Sequence, residues 1–334
     1  MKSAPPPLPQ TKNPGRTKAP AFDAVIFDID NVLVDTRYSY LEAIRWTVEI
    51  YLTHGKVPHF VPNSKGGGPE LLKLQDVERF KHLGGFNDDW DCCYGILAYI
   101  LALPNKVRTI KALRTAMDFG ALEKKFRTRP VGVNGITAAY GVRHVTIEKI
   151  ARIFQEIYLG TELFQKTMGM RPVYWKRSGL IRRERLIFKS SVLQKLRDGG
   201  IGLGIATGRP RFEALHTLDQ FGVRDFFQVI TSMDDVKAAE RERKCSLRKP
   251  HPFSLLETAR KMGGTKKRFM YVGDLPDDVL AAKSAAKEID IVSTAFPAMS
   301  SNPTAAMRSF REAGADFILK KPSELPRLVQ TGKI

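Results

Sequence analysis

The sequence predicts an α/β protein, in which a parallel β-sheet is covered by helices on both faces and a long, mainly helical segment follows the first strand. From about residue 186 onward, short apolar runs alternate with helical patterns, and this alternation is typical of parallel sheets. One further apolar run, at 22–29, stands near the start of the chain. Between about residues 40 and 185 little of the sequence indicates a buried strand, so this middle segment should be mainly helical.

The first half of the chain begins with the strand at 22–29, where Val, Ile and Phe predominate. Residues 55–70 have the composition of a loop, and the glycines at 66–68 are not followed by the Gly-Lys-Ser/Thr of a nucleotide-binding P-loop. Apolar residues at helical spacing predict five helices in this half, at 39–53, 70–82, 94–103, 108–126 and 147–168.

The second half contains five pairs of a helix followed by a strand. The helices are predicted at 190–198, 210–221, 252–262, 277–287 and 304–313. The strands are predicted at 201–206, 226–231, 269–272, 289–294 and 316–319. Active sites of parallel sheets lie beyond the carboxyl ends of the strands, so the residues that follow each strand are the candidates for function.

Composition limits the classes of function. The net charge of +19 makes anionic partners plausible, whether phosphorylated metabolites, nucleic acid or anionic lipid, without choosing among them. No apolar stretch reaches the roughly 18–20 residues that a membrane-spanning helix needs, so we expect no membrane span. Residues 1–20, rich in proline and basic residues, should be a disordered tail and lack the apolar core of a secretory signal.

The three cysteines, Cys92, Cys93 and Cys245, provide neither a disulfide framework nor a zinc-binding spacing. This indicates a reducing compartment. We therefore expect a cytoplasmic protein in which Cys92 and Cys93 are packing residues, with organelle import left open.

Residues with chemical potential follow several of the predicted strands or open a helix between them. They are Asp28 and Asp30 after the first strand, Thr207, Gly208 and Arg209 after the second, Lys249 before the helix at 252–262, and Asp274 and Asp278 after the fourth strand. A carboxylate can attack phosphorus, but it repels a phosphate dianion by about 4 kcal/mol per charge pair at 4 Å and a dielectric constant of 20. Bound Mg²⁺ relieves this repulsion because it prefers carboxylates, phosphate oxygens and water as ligands.

These residue types suggest a division of roles. Asp28 and Asp274 could hold Mg²⁺, Lys249 could neutralise the phosphate, and Thr207 could donate a hydrogen bond to a phosphate oxygen. Asp30, two positions after Asp28, could protonate the leaving oxygen and then activate water.

The order FDID, IATG, RKP and VGDLPDD resembles the motif series of the haloacid dehalogenase (HAD) superfamily of phosphotransferases, over roughly 22–38 and 186–320. The Lys-Pro pair is similar to that of the phosphoglycolate phosphatase-like branch, which carries a helical cap between its first two motifs. The resemblance implies a Rossmann-like core formed by residues 21–38 and 186–334, and an inserted α-helical cap domain at 39–185. We call this insertion the cap segment, and it is longer than the usual helical cap.

The resemblance also implies a role for each motif residue. Asp28 would be the nucleophile and Asp30 the general acid/base. Mg²⁺ would be held by the Asp28 carboxylate, the Asp30 backbone carbonyl and Asp274, with Asp278 in support. Phosphate would be bound by Thr207, Gly208 and Lys249. Arg209, which follows Thr207 closely and is not part of the family pattern, could also contact phosphate or substrate. Asn31 departs from the pattern, because this branch often has Gly at that position.

The resulting expectation is a Mg²⁺-dependent phosphatase for a small phosphorylated metabolite. Two alternatives remain open at this point. A phosphomutase would use the same residues, and a non-catalytic, basic protein that binds nucleic acid could share the scaffold. The second is disfavoured because a binding protein needs neither Asp28 nor Asp30. The sequence predicts no oligomeric state.

Two stretches of the cap segment have uncertain roles. The stretch at 84–95 could form a specificity loop that faces the site, or it could be a capped helix start with Trp90 packed inside the cap segment; its polar and aromatic residues are Asn87, Asp88, Asp89, Trp90 and Asp91. The basic residues between Arg171 and Lys189 could attract an anionic substrate, although a solvated face is the simpler interpretation.

Overall fold

The computed structural model describes residues 19–54, 60–61, 69–86, 88–103, 108–126, 131–141, 145–300 and 302–333. The glycines at 66–68, Asn87 and nearly all of the tail predicted at 1–20 lie outside these residues.

The described residues contain ten strands: β1 Ala24–Phe27, β2 Val34–Asp35, β3 Phe60–Val61, β4 Arg108–Thr109, β5 Arg185–Leu186, β6 Gly202–Ala206, β7 Val229–Thr231, β8 Phe269–Gly273, β9 Ile291–Ala295 and β10 Phe317–Ile318. Six of them form one sheet in the order β10-β9-β8-β1-β6-β7, and every neighbouring pair is parallel. These are the six strands that the sequence predicts, and the predicted α/β fold class is confirmed. β7 begins three residues later than predicted, because residues 224–226 form a 3₁₀ turn.

The described residues contain fourteen α-helices: α1 Tyr40–His54, α2 Leu74–Lys81, α3 Asp89–Leu101, α4 Ile110–Ala116, α5 Phe119–Lys125, α6 Gly132–Tyr140, α7 Ile147–Met168, α8 Ser190–Asp198, α9 Arg211–Gln220, α10 Met233–Arg243, α11 Phe253–Lys261, α12 Pro276–Ala285, α13 Pro303–Glu312 and α14 Leu325–Thr331. Within the described part of the chain, no helix is both long and apolar enough to cross a membrane.

Differences from the predicted helices have local causes. The predicted helix at 108–126 is two helices, α4 and α5, because the Asp118 side chain accepts a hydrogen bond from the backbone N–H of Ala121 and starts a new helix. Helices α6, α10 and α14 are not predicted by the sequence pattern. In α10 only Val236 is buried, so this helix lacks the apolar stripe by which a helix is recognised.

The centre of the sheet is buried on both faces. Val25 and Phe27 of β1 belong to an apolar cluster with α8, α9 and α14, whereas Ala24 and Ile26 belong to a cluster with α11 and α12. Successive residues of a strand point to opposite faces, so helices cover both sides of β1. This explains why the strand is apolar without alternation.

The cap segment has its own hydrophobic cluster, built from residues between 43 and 181, with large contributions from α1, α3 and α7. The only strands that lie wholly within its described residues are the two-residue strands β3 and β4, which pair with each other. Where the chain leaves the sheet and returns to it, β2 and β5 pair antiparallel. The division into core and cap domains at the predicted boundaries stays a prediction, which these separate clusters support.

Two glycines allow the returning chain to approach α7 closely. Gly160 interrupts this helix with φ 76° and ψ 173°, a conformation that is open essentially only to glycine. A Cβ on Gly160 would lie 2.1 Å from the backbone nitrogen of Gly179, and a Cβ on Gly179 would lie 2.2 Å from the carbonyl oxygen of Leu159. The backbones therefore meet where neither residue has room for a side chain.

Gly160→Ala is expected to destabilise the protein by about 2–4 kcal/mol, because an unfavourable backbone conformation is combined with a steric clash between backbones. Urea denaturation would measure the change in the free energy of unfolding. The matched control is Gly169→Ala at the end of the same helix, where φ is 65° and no atom lies within 4 Å of the added Cβ; it should cost about 1 kcal/mol. Equal losses in the two variants would contradict the role of close approach.

Candidate active site

The carboxyl ends of β1, β6 and β8 bring the predicted residues together at one edge of the sheet. Asp28 follows β1, Thr207 follows β6 and Asp274 follows β8. These strands are neighbours in the sheet, so their ends lie side by side. Lys249 reaches the same place from the loop before α11, and Asp278 reaches it from the first turn of α12.

The ammonium group of Lys249 links two of the carboxylates. Its Nζ atom lies 3.3 Å from Asp28 Oδ2 and 2.9 Å from Asp278 Oδ1. It also donates a hydrogen bond of 2.5 Å to the Tyr271 hydroxyl, which in turn donates to Asp278 Oδ1 at 2.8 Å. Sequence reasoning missed Tyr271, although a residue with a polar tip in the otherwise apolar run FMYV was an available signal.

Asp278 orients the start of α12 and the end of β8. Its Oδ2 atom accepts hydrogen bonds from the backbone N–H groups of Asp274, at 3.1 Å, and Leu275, at 3.0 Å. Gly273 leaves room for this side chain, since a Cβ at that position would lie 2.3 Å from Asp278 Cβ. The glycine before Asp274 is therefore required by packing.

Asn31 holds the carboxylate of Asp274. Its side-chain amide donates to Asp274 Oδ2 at 3.1 Å, while its Oδ1 atom accepts from the Thr36 hydroxyl at 3.1 Å. The backbone of Asn31 has a φ of 53°, in the left-handed region that Gly adopts freely and Asn tolerates better than most residues. Asn thus satisfies the same backbone requirement as the expected Gly and adds a hydrogen bond.

Negative charge exceeds positive charge among these groups. The pKa of Asp28 is raised to about 7, mainly by burial; the neighbouring carboxylates Asp278 and Asp30 also raise it, whereas Lys249 lowers it. Enclosure by the surrounding protein raises the pKa of Asp274 well above its usual value, and Asp278 and Asp28 add to this. The carboxylates of Asp278 and Asp28 raise the pKa of Lys249, although its burial acts in the opposite direction.

The three carboxylates could hold a metal ion. Asp28, Asp274 and Asp278 each offer an oxygen, and these atoms lie within 4.8 Å of one another. Both oxygens of Asp278 already accept hydrogen bonds from the protein, whereas Asp274 Oδ1 accepts none from the described residues. A hard cation such as Mg²⁺ fits this oxygen donor set. Asp28 and Asp274 could be direct ligands, and Asp278 could support Asp274, but these roles stay predictions.

Asp30 is not one of these three carboxylates, and its side chain contacts Arg209. Its Oδ1 atom accepts hydrogen bonds from Arg209 Nε at 2.8 Å and Nη2 at 2.6 Å. Arg209 is only 1% exposed, and its guanidinium nitrogens donate to Asp30, Tyr158, Glu184 and Thr217. These bonds occupy all five N–H groups, so the geometry does not support the prediction that Arg209 binds phosphate.

Thr207 and Gly208 form the turn after β6. The backbone N–H of Thr207 continues the sheet by donating to the Thr231 carbonyl at 3.0 Å, and its Oγ1 accepts from the backbone N–H of Arg209 at 3.2 Å. Gly208 is exposed. Their contacts with phosphate stay predictions.

The 84–95 stretch is a capped helix start that also contacts the core. Asp88 accepts hydrogen bonds from the backbone N–H groups of Trp90 and Asp91 and begins α3, while Trp90 packs against the cap cluster. Asp88 Oδ2 also lies 3.6 Å from Arg248 Nη1, beside Lys249. The stretch thus touches the loop that carries a predicted site residue, and its role in specificity stays a prediction.

Two of the three cysteines are packed inside the cap segment. Cys92 and Cys93 are buried in α3, and burial raises the pKa of Cys92 to about 12. A thiol in this state is a poor nucleophile at neutral pH, as expected for packing residues.

Glu213 of α9 is a buried acid near Arg209. Its two carboxylate oxygens accept hydrogen bonds of 3.2 Å from Gln155 and from the Tyr40 hydroxyl. The pKa of Glu213 is raised from 4.5 to about 7, mainly by burial, and the Asp30 carboxylate also raises it. Arg209 and the two hydrogen bonds lower this pKa. The folded chain therefore retains this proton at pH values where the unfolded chain has lost it.

This difference makes stability depend on pH. As pH rises from about 4.5 to 7, the unfolded chain releases the Glu213 proton first, so wild type should lose on the order of 1–3 kcal/mol relative to Glu213→Gln. Urea denaturation of both proteins between pH 5 and 8 would measure this difference. The other buried acids are present in both proteins, so their contributions to the pH dependence of stability cancel. A difference that does not change with pH would contradict the assignment.

The chain matches one protein family over most of its length and two named relatives over shorter stretches. The family model described as a haloacid dehalogenase-like hydrolase matches residues 22–286. The phosphoglycolate phosphatase of Salmonella typhi is 31% identical over 96 residues, which is 29% of this chain and 34% of that protein. The pyrophosphatase PpaX of Bacillus pumilus is 33% identical over 137 residues, 41% of this chain and 56% of that protein. The matches thus span about a third to just over half of these relatives.

Solved structures are similar over most of the chain. Phosphatase Tt82 from Thermococcus thioreducens superposes with a TM-score of 0.58 at 21% identity, covering 92% of this chain and 99% of that one. A putative phosphoglycolate phosphatase from Lactobacillus delbrueckii gives a TM-score of 0.55 at 14% identity, covering 93% and 99%. At these identities the similarity shows the fold.

Proposed function

The chain belongs to the haloacid dehalogenase-like hydrolases, and from this premise we propose that it is a Mg²⁺-dependent phosphatase that hydrolyses a small phosphomonoester through an aspartyl-phosphate on Asp28. One observation carries the proposal: the Lys249 ammonium lies 3.3 Å from Asp28 and 2.9 Å from Asp278, and Asp274 completes the acidic group. A nucleophile, a cation for phosphate and a metal-binding pair thus share one sheet edge.

In the first step, a carboxylate oxygen of Asp28 attacks phosphorus, and the bond from phosphorus to the substrate oxygen breaks. Asp30 gives its proton to that leaving oxygen, so an alcohol departs. Lys249 is placed to reduce the repulsion between the phosphate and Asp28. The products of this step are the alcohol and the Asp28 acyl-phosphate.

In the second step, Asp30 takes a proton from water, and the water oxygen attacks phosphorus. The bond between phosphorus and Asp28 breaks, which releases inorganic phosphate and restores the Asp28 carboxylate. Asp30 is then protonated for the next turnover, so both steps balance. Mg²⁺, when bound by Asp28 and Asp274, would supply positive charge to the phosphoryl oxygens.

The surrounding residues fix these groups. Asn31 orients Asp274, and Tyr271 orients Asp278. Such supporting hydrogen bonds reduce the movement that a catalytic group needs during reaction. The cap segment contacts the core beside Lys249 through Asp88 and Arg248, a position from which it could limit access of water and of large substrates.

A panel of phosphomonoesters tests the proposal. The panel should include phosphoglycolate and, as a pyrophosphate-bond control, inorganic pyrophosphate, because two relatives are named for these substrates. Phosphate release should occur with Mg²⁺ and stop with excess chelator. Turnover that survives the chelator, or no release from any member of the panel, would overturn the proposal. Transfer of phosphate to a sugar phosphate without net release would indicate a phosphomutase instead.

A further inference from the structure

A buried polar cluster surrounds Arg209 between the sheet and the cap segment. We call it the Arg209 cluster; its members are Asp30, Ser39, Tyr40, Tyr158, Glu184, Arg209 and Thr217. Arg209 and Glu184 are 1% and 4% exposed, so bulk water does not screen their ion pair. Such a pair is costly to bury unless its hydrogen bonds are satisfied, and here they are.

Glu184 joins the two connections between the core and the cap segment. It stands in the returning connection, directly before β5, and its Oε1 atom accepts from Ser39 Oγ of the outgoing connection at 3.1 Å. The same oxygen accepts from the Tyr158 hydroxyl at 2.9 Å and from Arg209 Nη2 at 3.0 Å. The position of Arg209 is therefore tied to the cap segment.

Arg209 holds only one oxygen of Asp30. Both of its hydrogen bonds end on Oδ1, and Oδ2 receives none from the described residues. The Asp30 side chain is 29% exposed, whereas that of Arg209 is 0% exposed. The two donors hold Oδ1 beside the guanidinium group and leave Oδ2 available for a proton.

We propose that Arg209 is a positioning residue, which holds Asp30 for proton transfer and makes its placement depend on how the cap segment is seated through Glu184. The inference rests on the proposed function for the role of Asp30. Arg209 acts through Asp30 and does not touch substrate, because its N–H groups are all occupied. Displacement of the cap segment would disturb Glu184 and Tyr158 first, then Arg209, and through it Asp30.

A kinetic double-mutant cycle tests the role of Arg209. In Arg209→Met, kcat for an alkyl phosphate should fall about 10- to 100-fold, with a change in KM of less than about threefold, because Asp30 loses its orientation. In an Asp30→Asn background, the same substitution should change kcat by less than about twofold, since the residues act as a unit. A large rise in KM, or an equal loss in both backgrounds, would overturn the proposal.

The choice of substrate provides a second readout. Phosphoenzyme formation from p-nitrophenyl phosphate needs little help from a proton donor, because p-nitrophenolate leaves readily. The burst of p-nitrophenol should therefore be reduced less in Arg209→Met than the burst of alcohol from an alkyl phosphate. Equal reductions would indicate a general structural defect and would contradict the positioning role.

Unfolding measurements separate this inference from the proposed function. The melting temperatures of wild type, Arg209→Met, Asp30→Asn and the double variant should be non-additive by several degrees, whether or not the protein hydrolyses phosphomonoesters. Additive shifts in melting temperature would show that Arg209 and Asp30 are not coupled and would overturn the inference. Arg209→Met leaves Glu184 unpaired and could fail to fold for that reason. In that case, Arg209→Met combined with Glu184→Met removes both charges. The cycle of this double variant with Asp30→Asn again distinguishes non-additive from additive shifts in melting temperature.

Discussion

Replacement of Asp28 by Asn is expected to lower kcat roughly 10³-fold or more, because the amide cannot form the acyl-phosphate. The fold should survive, since the amide has nearly the same volume and removes one of three carboxylates that repel each other. Steady-state phosphate release and the melting temperature of both proteins would measure the two effects. Rapid-quench trapping with labelled substrate should detect phosphoenzyme in wild type and none in the variant.

The matched control for this substitution is Asp198→Asn. Asp198 is an exposed residue at the end of α8, where its carboxylate accepts a hydrogen bond from Gln194. It lies before β6, at the edge of the sheet opposite the active site, and its replacement should leave kcat unchanged. Turnover by Asp28→Asn within about tenfold of wild type would exclude an aspartyl-phosphate on Asp28.

The candidate site could be predicted from the sequence because its principal residues obey local rules. Asp28, Thr207 and Asp274 each follow a short apolar run, and parallel strands place such residues at one edge. Asp278 stands in the first turn of a helix, four residues after Asp274. The motif spacing therefore contains the information that brings them together, without any knowledge of long-range contacts.

The Arg209 cluster could not be predicted in this way. Arg209 contacts Asp30, Tyr158 and Glu184, which are 179, 51 and 25 positions away in the chain. No periodicity marks these residues as partners, and a basic residue just after a strand suggests a phosphate ligand. Only the packing of the cap segment against the sheet shows that the guanidinium group is enclosed by protein.

The secondary structure also divides into elements that a local sequence pattern predicts and elements that it does not. Most helices with an apolar stripe are predicted from the sequence, whereas α10 is not, since it buries a single residue. Helix α14 is an exception, because it buries Leu325, Leu328 and Val329 and is not predicted. The boundaries of α3 and α5 depend on side-chain hydrogen bonds of Asp88 and Asp118. Asp is common in turns as well as at helix starts, so these residues alone did not fix the boundary.

Lys249→Met is expected to impair both catalysis and folding. The variant retains Asp28, Asp274 and Asp278 but loses the ammonium group that lies 3.3 Å and 2.9 Å from two of them. Breaking a buried ion pair on one side costs about 3–5 kcal/mol, and kcat should fall roughly 10²-fold or more because phosphate loses its charge partner. Urea denaturation in chelator and steady-state kinetics would measure the two losses.

Added Mg²⁺ should restore part of the lost stability, because it is the other cation that this acidic group can bind. The rise in melting temperature on adding Mg²⁺ should therefore be larger in Lys249→Met than in wild type. Lys237→Met, at an exposed position of α10, serves as the control and should behave as wild type in both measurements. An identical response to Mg²⁺ in all three proteins would show that Lys249 and the metal ion do not share the charge of these carboxylates.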